Sequence, residues 1–446
     1  MRQPLLLAAA ASTMLVAALG GTASAQPDFV PDAATSSNGA AASNASLGYI
    51  VVLKDGTKSD QVANEHSRTH GAAVSHVYRS ALRGYSAQMS ATAAARVAQD
   101  PRVQFVERDG LAYATKGKPD PTKGKPVPPP AEPPEQSLPT GINRADADAS
   151  LTALIDGLDE RVDVDVAVID TGVDLTHPDL NVNTAGATNC NGRGVDADDG
   201  NGHGTHVAGT IGALDNTIGV VGMAPGALIW PVRVLNDRGS GTWSDVICGI
   251  DYVTDNADLI EVANMSLGGG GADDRDCGNT NNDALHKAIC ASVAAGVTYV
   301  VAAGNSSADA STFVPAAYDE VITVSALADF NGLPGGGALA TCRSDVDDTF
   351  ANFSNYGADV DLIAPGVCIY STWKGGGYNT ISGTSMASPH VAGGAALYLA
   401  ANVVTGPVTT WATQVKAALI GAGNDGWTNT DDLDGIKEPL LNVSTF

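Results

Sequence analysis

Short apolar runs alternate with helical patterns from about residue 151 to the C-terminus. The predicted strands are nearly continuous in apolar residues: Val162–Ile169, Leu259–Leu267, Val297–Ala303, Val321–Ala326 and Val360–Ala364. Helical stretches separate several of them: Gly202–Ala213, Trp243–Asp255, Asn281–Ala295 and Ser385–Ala401. Continuous apolar strands between helices are typical of a parallel sheet that is covered on both faces. The pattern predicts an α/β domain with a mainly parallel sheet, in which functional residues follow the carboxyl ends of strands.

A smaller unit with a different pattern precedes this domain. Its predicted elements run strand, helix, strand, strand, helix and strand: Tyr49–Leu53, Asp60–His70, Val74–Tyr78, Gly84–Met89, Ala91–Gln99 and Val103–Glu107. They predict a small α+β domain over residues 47–115, which taken alone could be a simple binding module. Residues 116–137 are rich in proline and lysine, as in an extended, protease-accessible linker. The larger domain then covers residues 138–446.

The N-terminus has the pattern of a secretion signal. Arg2 precedes an apolar run from Leu5 to Leu19, and Ala23-Ser24-Ala25 fits a cleavage site, so residues 1–25 are the predicted signal peptide. The run is too short to span a membrane comfortably, although an uncleaved anchor is the alternative. Residues 26–46 are predicted to be a disordered lead-in. We expect a secreted, extracellular protein with no membrane partner.

The charge differs between the two parts of the chain. Residues 1–135 hold 13 Lys and Arg against 11 Asp and Glu, so 11 of the 24 basic and 38 of the 49 acidic residues follow residue 135. The front part therefore has a net charge of +2 and the rest −27. Nucleic-acid-binding proteins need basic residues to neutralise phosphates, so this acidic body disfavours a nucleic-acid partner.

All six cysteines lie in the larger domain, and none forms a C-x-x-C pair. An even number in an exported protein favours disulfides over a zinc or redox site. Sequence alone leaves the pairing open. We predict that neighbours pair in order: Cys190–Cys248, Cys277–Cys290 and Cys342–Cys368.

Two acid–base candidates stand at predicted strand and helix ends. Asp170 ends the apolar run Val166-Ala-Val-Ile-Asp170, where a carboxylate either caps a turn or orients a base. His203 opens a helix in Asn201-Gly-His-Gly-Thr-His206, among glycines that allow close backbone packing. Metal binding by His203 and His206 together is the alternative, but no HExxH spacing accompanies them.

A serine and an asparagine complete the set. Ser385 lies at a tight turn that opens a helix, in Ser382-Gly-Thr-Ser-Met-Ala-Ser, and a bare serine there is usually an N-cap. Asn305 ends the run Val300-Val-Ala-Ala-Gly-Asn, where it either forms a turn or donates a hydrogen bond to a developing oxyanion. The order Asp, His, Ser, with an Asn between the last two, is specific as a set.

These segments closely resemble those of the subtilisin-like serine proteases, especially the secreted proteinase K-like branch. The resemblance covers about Leu138 to the C-terminus. It implies the subtilisin three-layer fold and a serine endopeptidase with no catalytic cofactor. It also implies that Asp170, His203 and Ser385 form the triad, and that Asn305 and the Ser385 backbone form the oxyanion hole.

Substrate binding follows from the same resemblance. The family strand that pairs with the extended substrate corresponds to Ser266, Leu267 and Gly268, and the opposite wall of the first pocket to Ala302, Ala303 and Gly304. Small residues there imply a roomy apolar slot. We therefore expect polypeptide substrates, with broad specificity and an apolar or aromatic preference before the cut. We expect a monomer.

The resemblance also implies a structural calcium ion. Asp319, Val321 and Asp361 fall where proteinase K-like enzymes bind one through oxygen ligands. A second acidic cluster, at Asp196, Asp198 and Asp199, has two open interpretations, a calcium site or a solvated loop. The run from Asp431 to Gly435 is similar to an EF-hand only superficially. It lacks the acid at the first position and the glutamate at the last, so we do not predict a site there.

The front unit resembles the inhibitory propeptides of this family, in Tyr49–Lys54, Leu82–Ser86 and Val103–Asp109. This implies a zymogen whose own propeptide is chaperone and inhibitor, first cut near Ala114–Thr115 and trimmed before Leu138. A catalytically silent binding or scaffold protein of the same fold is the alternative. All four predicted catalytic positions are occupied, which favours the enzyme.

Overall fold

The computed structural model describes residues 46–115, 133–192, 196–430 and 432–446. The predicted signal peptide, nearly all of the lead-in and most of the linker lie outside these ranges. The front unit comprises β1 (Ser46–Leu53), α1 (Ser59–His70), β2 (Ala73–Tyr78), β3 (Gly84–Ser90), α2 (Ala91–Val97) and β4 (Val103–Arg108). The strands form an antiparallel sheet in the order β2-β3-β1-β4. Every predicted element of this unit is present, with ends that differ by a few residues.

The front sheet is buried on both faces. Tyr49, Val51 and Leu53 of β1 pack in a core with residues of α1 and α2. Ile50 and Val52, which alternate with them, belong to a core that includes helix residues of the larger unit. Successive strand side chains point to opposite faces, so an uninterrupted apolar strand needs a cover on each. The front unit is therefore packed firmly on the larger one.

The front segment ends with β5 (Leu111–Ala114), and the larger unit contributes the other strands and helices. Its strands are, in chain order, β6 (Asp165–Asp170), β7 (Thr188–Asn189), β8 (Leu228–Arg233), β9 (Ser240–Thr242), β10 (Ile260–Met265), β11 (Leu267–Gly270), β12 (Thr298–Ala302), β13 (Phe313–Val314), β14 (Ile322–Ala328), β15 (Thr349–Phe350), β16 (Leu362–Pro365), β17 (Ile369–Trp373) and β18 (Gly377–Ile381). Its helices are α3 (Thr140–Arg144), α4 (His203–Gly212), α5 (Trp243–Asp255), α6 (Ala284–Ala294), α7 (Thr384–Ala401) and α8 (Trp411–Ala422).

The central sheet has the order β15-β14-β12-β10-β6-β8-β7, with β16 also paired to β14. Its pairs are parallel apart from β14–β15. Val166 and Val168 of β6 face one core, and Ala167 and Ile169 face the other. The predicted fold, a mainly parallel sheet between helical layers with a small α+β unit in front, is confirmed.

Helix α7 runs through the interior of the larger unit. Its residues from Thr384 to Leu397 are all buried, which suits a helix that is apolar on every side. Near the C-terminus, α8 is followed by a tail whose described residues, 423–430 and 432–446, form no further named helix or strand. Within the described residues, none of the helices has both the length and the apolar composition needed to cross a membrane.

Three disulfides join the predicted neighbours: Cys190–Cys248, Cys277–Cys290 and Cys342–Cys368. The first ties the loop after β7 to α5, and the second ties a loop to α6. The third ties Cys368, just before β17, to Cys342 in the segment between β14 and β15. Each bond thus holds a surface segment to the framework that carries the site.

Candidate active site

Asp170 and His203 form a buried pair. Asp170 is the last residue of β6, and its Oδ1 accepts hydrogen bonds from His203 Nδ1 at 2.7 Å and from Thr171 N at 2.7 Å. Both side chains are inaccessible to solvent. Because the carboxylate accepts at Nδ1, the ring hydrogen is fixed there and Nε2 is left as the basic nitrogen. His203 Nε2 has no partner among the described residues.

The backbone brings the helix of His203 close to the strand of Asp170. A Cβ on Gly204 would lie 2.0 Å from the Gly172 carbonyl oxygen, so only glycine permits this approach. The turn before the helix is held by Asp199. Its Oδ1 accepts from Thr171 Oγ1 and from two backbone N–H groups, and its Oδ2 accepts from Thr205 N and Oγ1.

These contacts bear on two of the sequence alternatives. Both oxygens of Asp199 accept hydrogen bonds from protein donors, so this carboxylate organises the turn, whereas Asp196 and Asp198 are exposed and keep both interpretations. His206 Nε2 lies 3.0 Å from the Ile369 carbonyl and 3.2 Å from that of Asn379. Burial lowers the pKa of His206 to about 3. His206 is therefore a neutral core histidine and not a metal partner of His203.

Ser385 lies in the first turn of α7, where backbone N–H groups have no intrahelical partner. Side chains from β10 and the following residue hold this turn. Ser266 Oγ donates to the Ser385 carbonyl at 2.9 Å, and Asn264 Nδ2 donates to Ser266 Oγ at 2.9 Å. Ser388 Oγ donates to Asn264 Oδ1 at 2.7 Å. The network fixes the start of the helix against the carboxyl end of the sheet.

Asn305 has one half of its amide engaged and the other half unpaired. Its Oδ1 accepts from Thr384 N at 2.9 Å and from Thr384 Oγ1 at 3.0 Å. These bonds orient the amide, so that Nδ2 must point the other way. Nδ2 is buried and has no partner among the described residues. A buried donor without a partner is costly, and such groups are typical of sites that complete their bonds with a ligand.

The front unit ends beside Ser385 and Asn305. β5 pairs antiparallel with β11 on one side, Leu267 opposite Ala114, and with β9 on the other, Ala112 opposite Gly241. Thr115 continues this strand, and its N–H donates to the Ser266 carbonyl at 3.1 Å. The Ser385 hydroxyl donates to the Thr115 carbonyl oxygen. A segment of the same chain thus lies across the site like an extended peptide, with its last described carbonyl at the serine.

A phenylalanine lies between the two segments that are predicted to form the walls of the first pocket. A Cβ built on Gly268 would be 2.3 Å from Phe313 Cε1, and one on Gly304 would be 3.0 Å from Phe313 Cδ1. The ring therefore packs against Gly268 and Gly304 at once. The sequence prediction of a roomy slot did not include this side chain, which arrives from β13.

The predicted calcium ligands hold a lysine instead. Lys416 Nζ lies 2.8 Å from the Val321 carbonyl, 3.3 Å from the Asp319 carbonyl and 2.8 Å from Asp361 Oδ1. An ammonium group thus supplies the positive charge at the position where these three oxygens converge. With Lys416 in place these three oxygens do not fit a calcium ion as well, and the calcium site stays a prediction.

Together these contacts describe a serine protease whose own N-terminal unit lies in its cleft as a substrate would. A model of the subtilase family matches residues 162–435, and a model of peptidase inhibitor I9 matches residues 48–114. The chain belongs to the subtilase family, as a serine endopeptidase preceded by an I9 propeptide domain.

Individual relatives agree with this membership. The chain is 42% identical to subtilisin DY of Bacillus licheniformis over 267 residues, 59% of this chain and 85% of that protein. It is 39% identical to the extracellular serine proteinase of Thermus sp. (strain Rt41A) over 331 residues, 74% and 69% of the two chains. The crystal structure of a cold-adapted subtilisin-like serine proteinase matches with a TM-score of 0.52 and 35% identity, over 68% of this chain and 97% of that one. The narrower proteinase K-like placement stays a prediction.

Proposed function

We propose that Ser385 is the nucleophile of this endopeptidase, with His203 as its general base and Asp170 as the group that orients the base. The observation that carries the proposal is the buried contact between Asp170 Oδ1 and His203 Nδ1, which leaves Nε2 free to take a proton. The serine oxygen forms a bond to the scissile carbonyl carbon while His203 takes its proton. His203 then gives that proton to the leaving amine, and water hydrolyses the acyl-enzyme.

The negative oxygen of the tetrahedral intermediate needs donors that are already in place. We assign this role to Asn305 Nδ2, which is buried and unpaired, and to the Ser385 backbone N–H in the first turn of α7. The helix N-terminus adds a favourable electrostatic contribution. Neither donor has to be reoriented when the charge develops.

The segment Leu111–Thr115 is proposed to be the inhibitory end of the propeptide, residues 47–115. Its support is the strand between β9 and β11 and the hydrogen bond that joins Ser385 to Thr115. A serine protease cuts a peptide immediately after the residue whose carbonyl lies at the nucleophile. We therefore place the first maturation cut after Thr115, one residue beyond the bond suggested by the sequence, with later trimming of the linker.

Release of the propeptide should become faster as the pH rises. Glu107 Oε2 accepts from Ala284 N at 2.9 Å at the start of α6, and burial with the nearby Asp283 raises the pKa of Glu107 to about 8. A carboxyl whose pKa is raised in the complex favours binding when it is protonated. Glu107 therefore contributes fully to the affinity of the propeptide for the larger unit in acid, and this contribution is lost as the pH rises towards 8. Burial also raises the pKa values of Asp109 and Asp251 at this interface.

One such carboxyl lowers the affinity of the propeptide for the larger unit by up to about tenfold per pH unit. The measurement is the half-time of propeptide release from self-cut wild type, followed by the onset of peptidase activity between pH 5 and 9. Glu107→Gln should flatten this profile. The matched control is Glu65→Gln, which removes a carboxylate paired with Arg102 inside the front unit and should leave the slope unchanged. An identical slope in Glu107→Gln and wild type would disprove the assignment.

We propose broad specificity for apolar residues, but with a first pocket that Phe313 makes shallow. In the docked strand, Thr115 is the residue before the proposed cut, and its side chain is small and buried. Substrates with Ala, Val or Thr before the cut should therefore be preferred to those with Phe. This specificity is narrower than the apolar or aromatic preference expected from the walls alone.

Phe313→Ala should reverse this order. Removing the ring opens the space between Gly268 and Gly304, and apolar pockets discriminate by about 10- to 200-fold per such change in size. The measurement is the ratio of kcat/KM for two p-nitroanilide peptides that differ only in Ala or Phe before the cut. Phe330→Ala, in the loop after β14, is the control and should keep the wild-type ratio. A strong preference of wild type for Phe would refute the shallow pocket.

The enzyme itself is tested by a fluorophosphonate probe, which reacts with activated serines. Labelling of the mature chain on the tryptic peptide that contains Ser385 is the expected result. If mature, folded protein stays unlabelled, the catalytically silent scaffold takes over as the better proposal. We further propose export to the medium as a monomer, in line with the extracellular serine proteinase named among its relatives.

A further inference from the structure

A two-stranded hairpin joins the helix of His203 to the turn of Ser385. It consists of β17 and β18, which pair antiparallel along their whole length. Strand β17 packs on α4, the helix that begins at His203. Strand β18 ends at Ile381, four residues before Ser385. The proposed base and the proposed nucleophile are therefore both attached to this hairpin.

Two buried hydroxyl groups of β17 hold the helix. Thr372 Oγ1 donates to the Thr205 carbonyl at 2.7 Å. Ser371 Oγ donates to the His206 carbonyl at 2.8 Å. The strand approaches this closely because Gly209 has no side chain, and a Cβ there would lie 2.2 Å from Thr372 Oγ1. The Thr205 carbonyl belongs to the first turn of α4, so the Thr372 bond acts on the turn that carries the base.

The hairpin also contacts the chain just before His203. The Trp373 ring packs against Gly202, where a Cβ would lie 2.3 Å from the ring atom Cε2. Consecutive hairpin residues thus contact the backbone on both sides of the base, Trp373 before it and Thr372 after it. His206 adds a third contact, because its Nε2 lies within hydrogen-bond distance of a carbonyl on each strand of the hairpin.

The open end of the hairpin is closed beside Ser385. Ser382 Oγ accepts a hydrogen bond from Cys368 N at 2.9 Å. Gly383 N donates to the Gly366 carbonyl at 2.8 Å. These two bonds join the residues before β17 to the residues between β18 and the nucleophile. A shift of α4 along the hairpin therefore changes the separation between the base and the nucleophile.

We infer that Thr372 and Ser371 are positioning residues, whose hydroxyl groups set the distance between His203 Nε2 and Ser385 Oγ by holding α4 on the hairpin. The inference rests on the catalytic roles proposed above for His203 and Ser385. Proton transfer between these two atoms requires a separation of about 2.6–3.2 Å. The docked strand pairs with β9 and β11 rather than with the hairpin, so binding of the substrate backbone should not depend on either hydroxyl.

The test compares Thr372→Val, which keeps the shape of the side chain without its hydroxyl, with Thr372→Ser, which keeps the hydroxyl. The precursors are cut with a trace of wild type, and active sites are counted with the fluorophosphonate probe before kcat and KM are measured. Thr372→Val should lower kcat per active site by up to about 10²-fold, the size of loss that a misplacement of about 1 Å can cause, with KM unchanged. Thr372→Ser should recover most of this loss.

Thr380→Val is the matched control, because it removes an exposed hydroxyl from the other strand of the same hairpin and should keep the wild-type kcat. Ser371→Ala removes the second hydroxyl bond to α4, and it replaces Thr372→Val in the comparison if that variant does not fold.

A role in stability alone would give a different result. Tm and the number of active sites would then fall, but kcat per active site would stay at the wild-type value. That result in a folded Thr372→Val or Ser371→Ala would overturn the inference. If the mature wild type itself is not labelled by the probe, the catalytic roles of His203 and Ser385 fail, and the inference fails with them.

Discussion

Replacing Ser385 with alanine should leave the chain uncut and reduce peptide hydrolysis by about 10⁶-fold, the size of the loss when the nucleophile of a subtilisin is removed. The Ser385 hydroxyl is the group that meets the Thr115 carbonyl, and Asn305 and the helix N-terminus remain in place in the variant. The residual rate therefore reports what the oxyanion donors and substrate binding achieve without a nucleophile.

The measurement combines the mass of the secreted chain with the turnover of a peptide substrate. Wild type should yield a propeptide that ends at Thr115 and a mature chain that reacts with the fluorophosphonate probe. Ser385→Ala should yield one unprocessed, unlabelled chain with an unchanged fold by circular dichroism. Ser311→Ala, at an exposed serine, is the control and should mature normally. Processing of purified Ser385→Ala at the wild-type rate would show that another protease makes the cut.

The candidate catalytic residues could be selected from the sequence because each lies within a short motif at the end of an element. Asp170 is the last residue of an apolar strand, and Ser385 is in the first turn of an apolar helix, so local pattern gives both the element and the residue. The parallel topology then brings the carboxyl ends of β6, β10 and β12 to one edge. Their meeting there follows from the strand order and needs no knowledge of side-chain packing.

The residues that sequence reasoning missed depend on contacts between distant segments. β5 has only four residues, Leu111–Ala114, and is a strand because β9 and β11 lie on both sides of it. β8 contains Pro231, which argues against a central strand. The strand pairs with β6 along its whole length, but β7 pairs only with Val232 and Arg233, so the proline is not placed in a ladder on that side.

Phe313 and Lys416 show the same limit at the level of side chains. Phe313 changes a pocket whose walls come from other strands, and Lys416 reaches Val321 across 95 positions of sequence. No periodicity or motif near Gly268 or Asp361 signals either contact. A motif thus predicts which backbone surrounds a site, while the volume and charge left inside it depend on side chains that arrive from elsewhere.

Replacing Asn305 should lower kcat by about 10²–10³ with little change in KM, because its free donor is needed when the oxyanion forms and not when the peptide binds. Alanine at this position also removes the acceptor of Thr384 N and Oγ1, so Asn305→Ala alone mixes a loss of catalysis with a loss of support for α7. Asn305→Asp separates the two effects. It keeps an oxygen acceptor for Thr384 but presents an oxygen, rather than an N–H group, to the developing negative charge.

Both variants should therefore lose kcat, and Asn305→Asp should lose at least as much as Asn305→Ala while keeping a Tm closer to wild type. The mature variants can be prepared by cutting their precursors with a trace of wild type, and active sites are counted with the fluorophosphonate probe before kcat and KM are measured. Thr384→Val serves as the control for orientation, since it removes one of the two bonds that hold the amide but keeps Nδ2, and its loss of kcat should be smaller. If Asn305→Asp keeps the kcat of wild type, the unpaired Nδ2 has no part in the oxyanion hole. The buried donor would then need a different partner, and the Ser385 backbone N–H would be left to stabilise the intermediate without it.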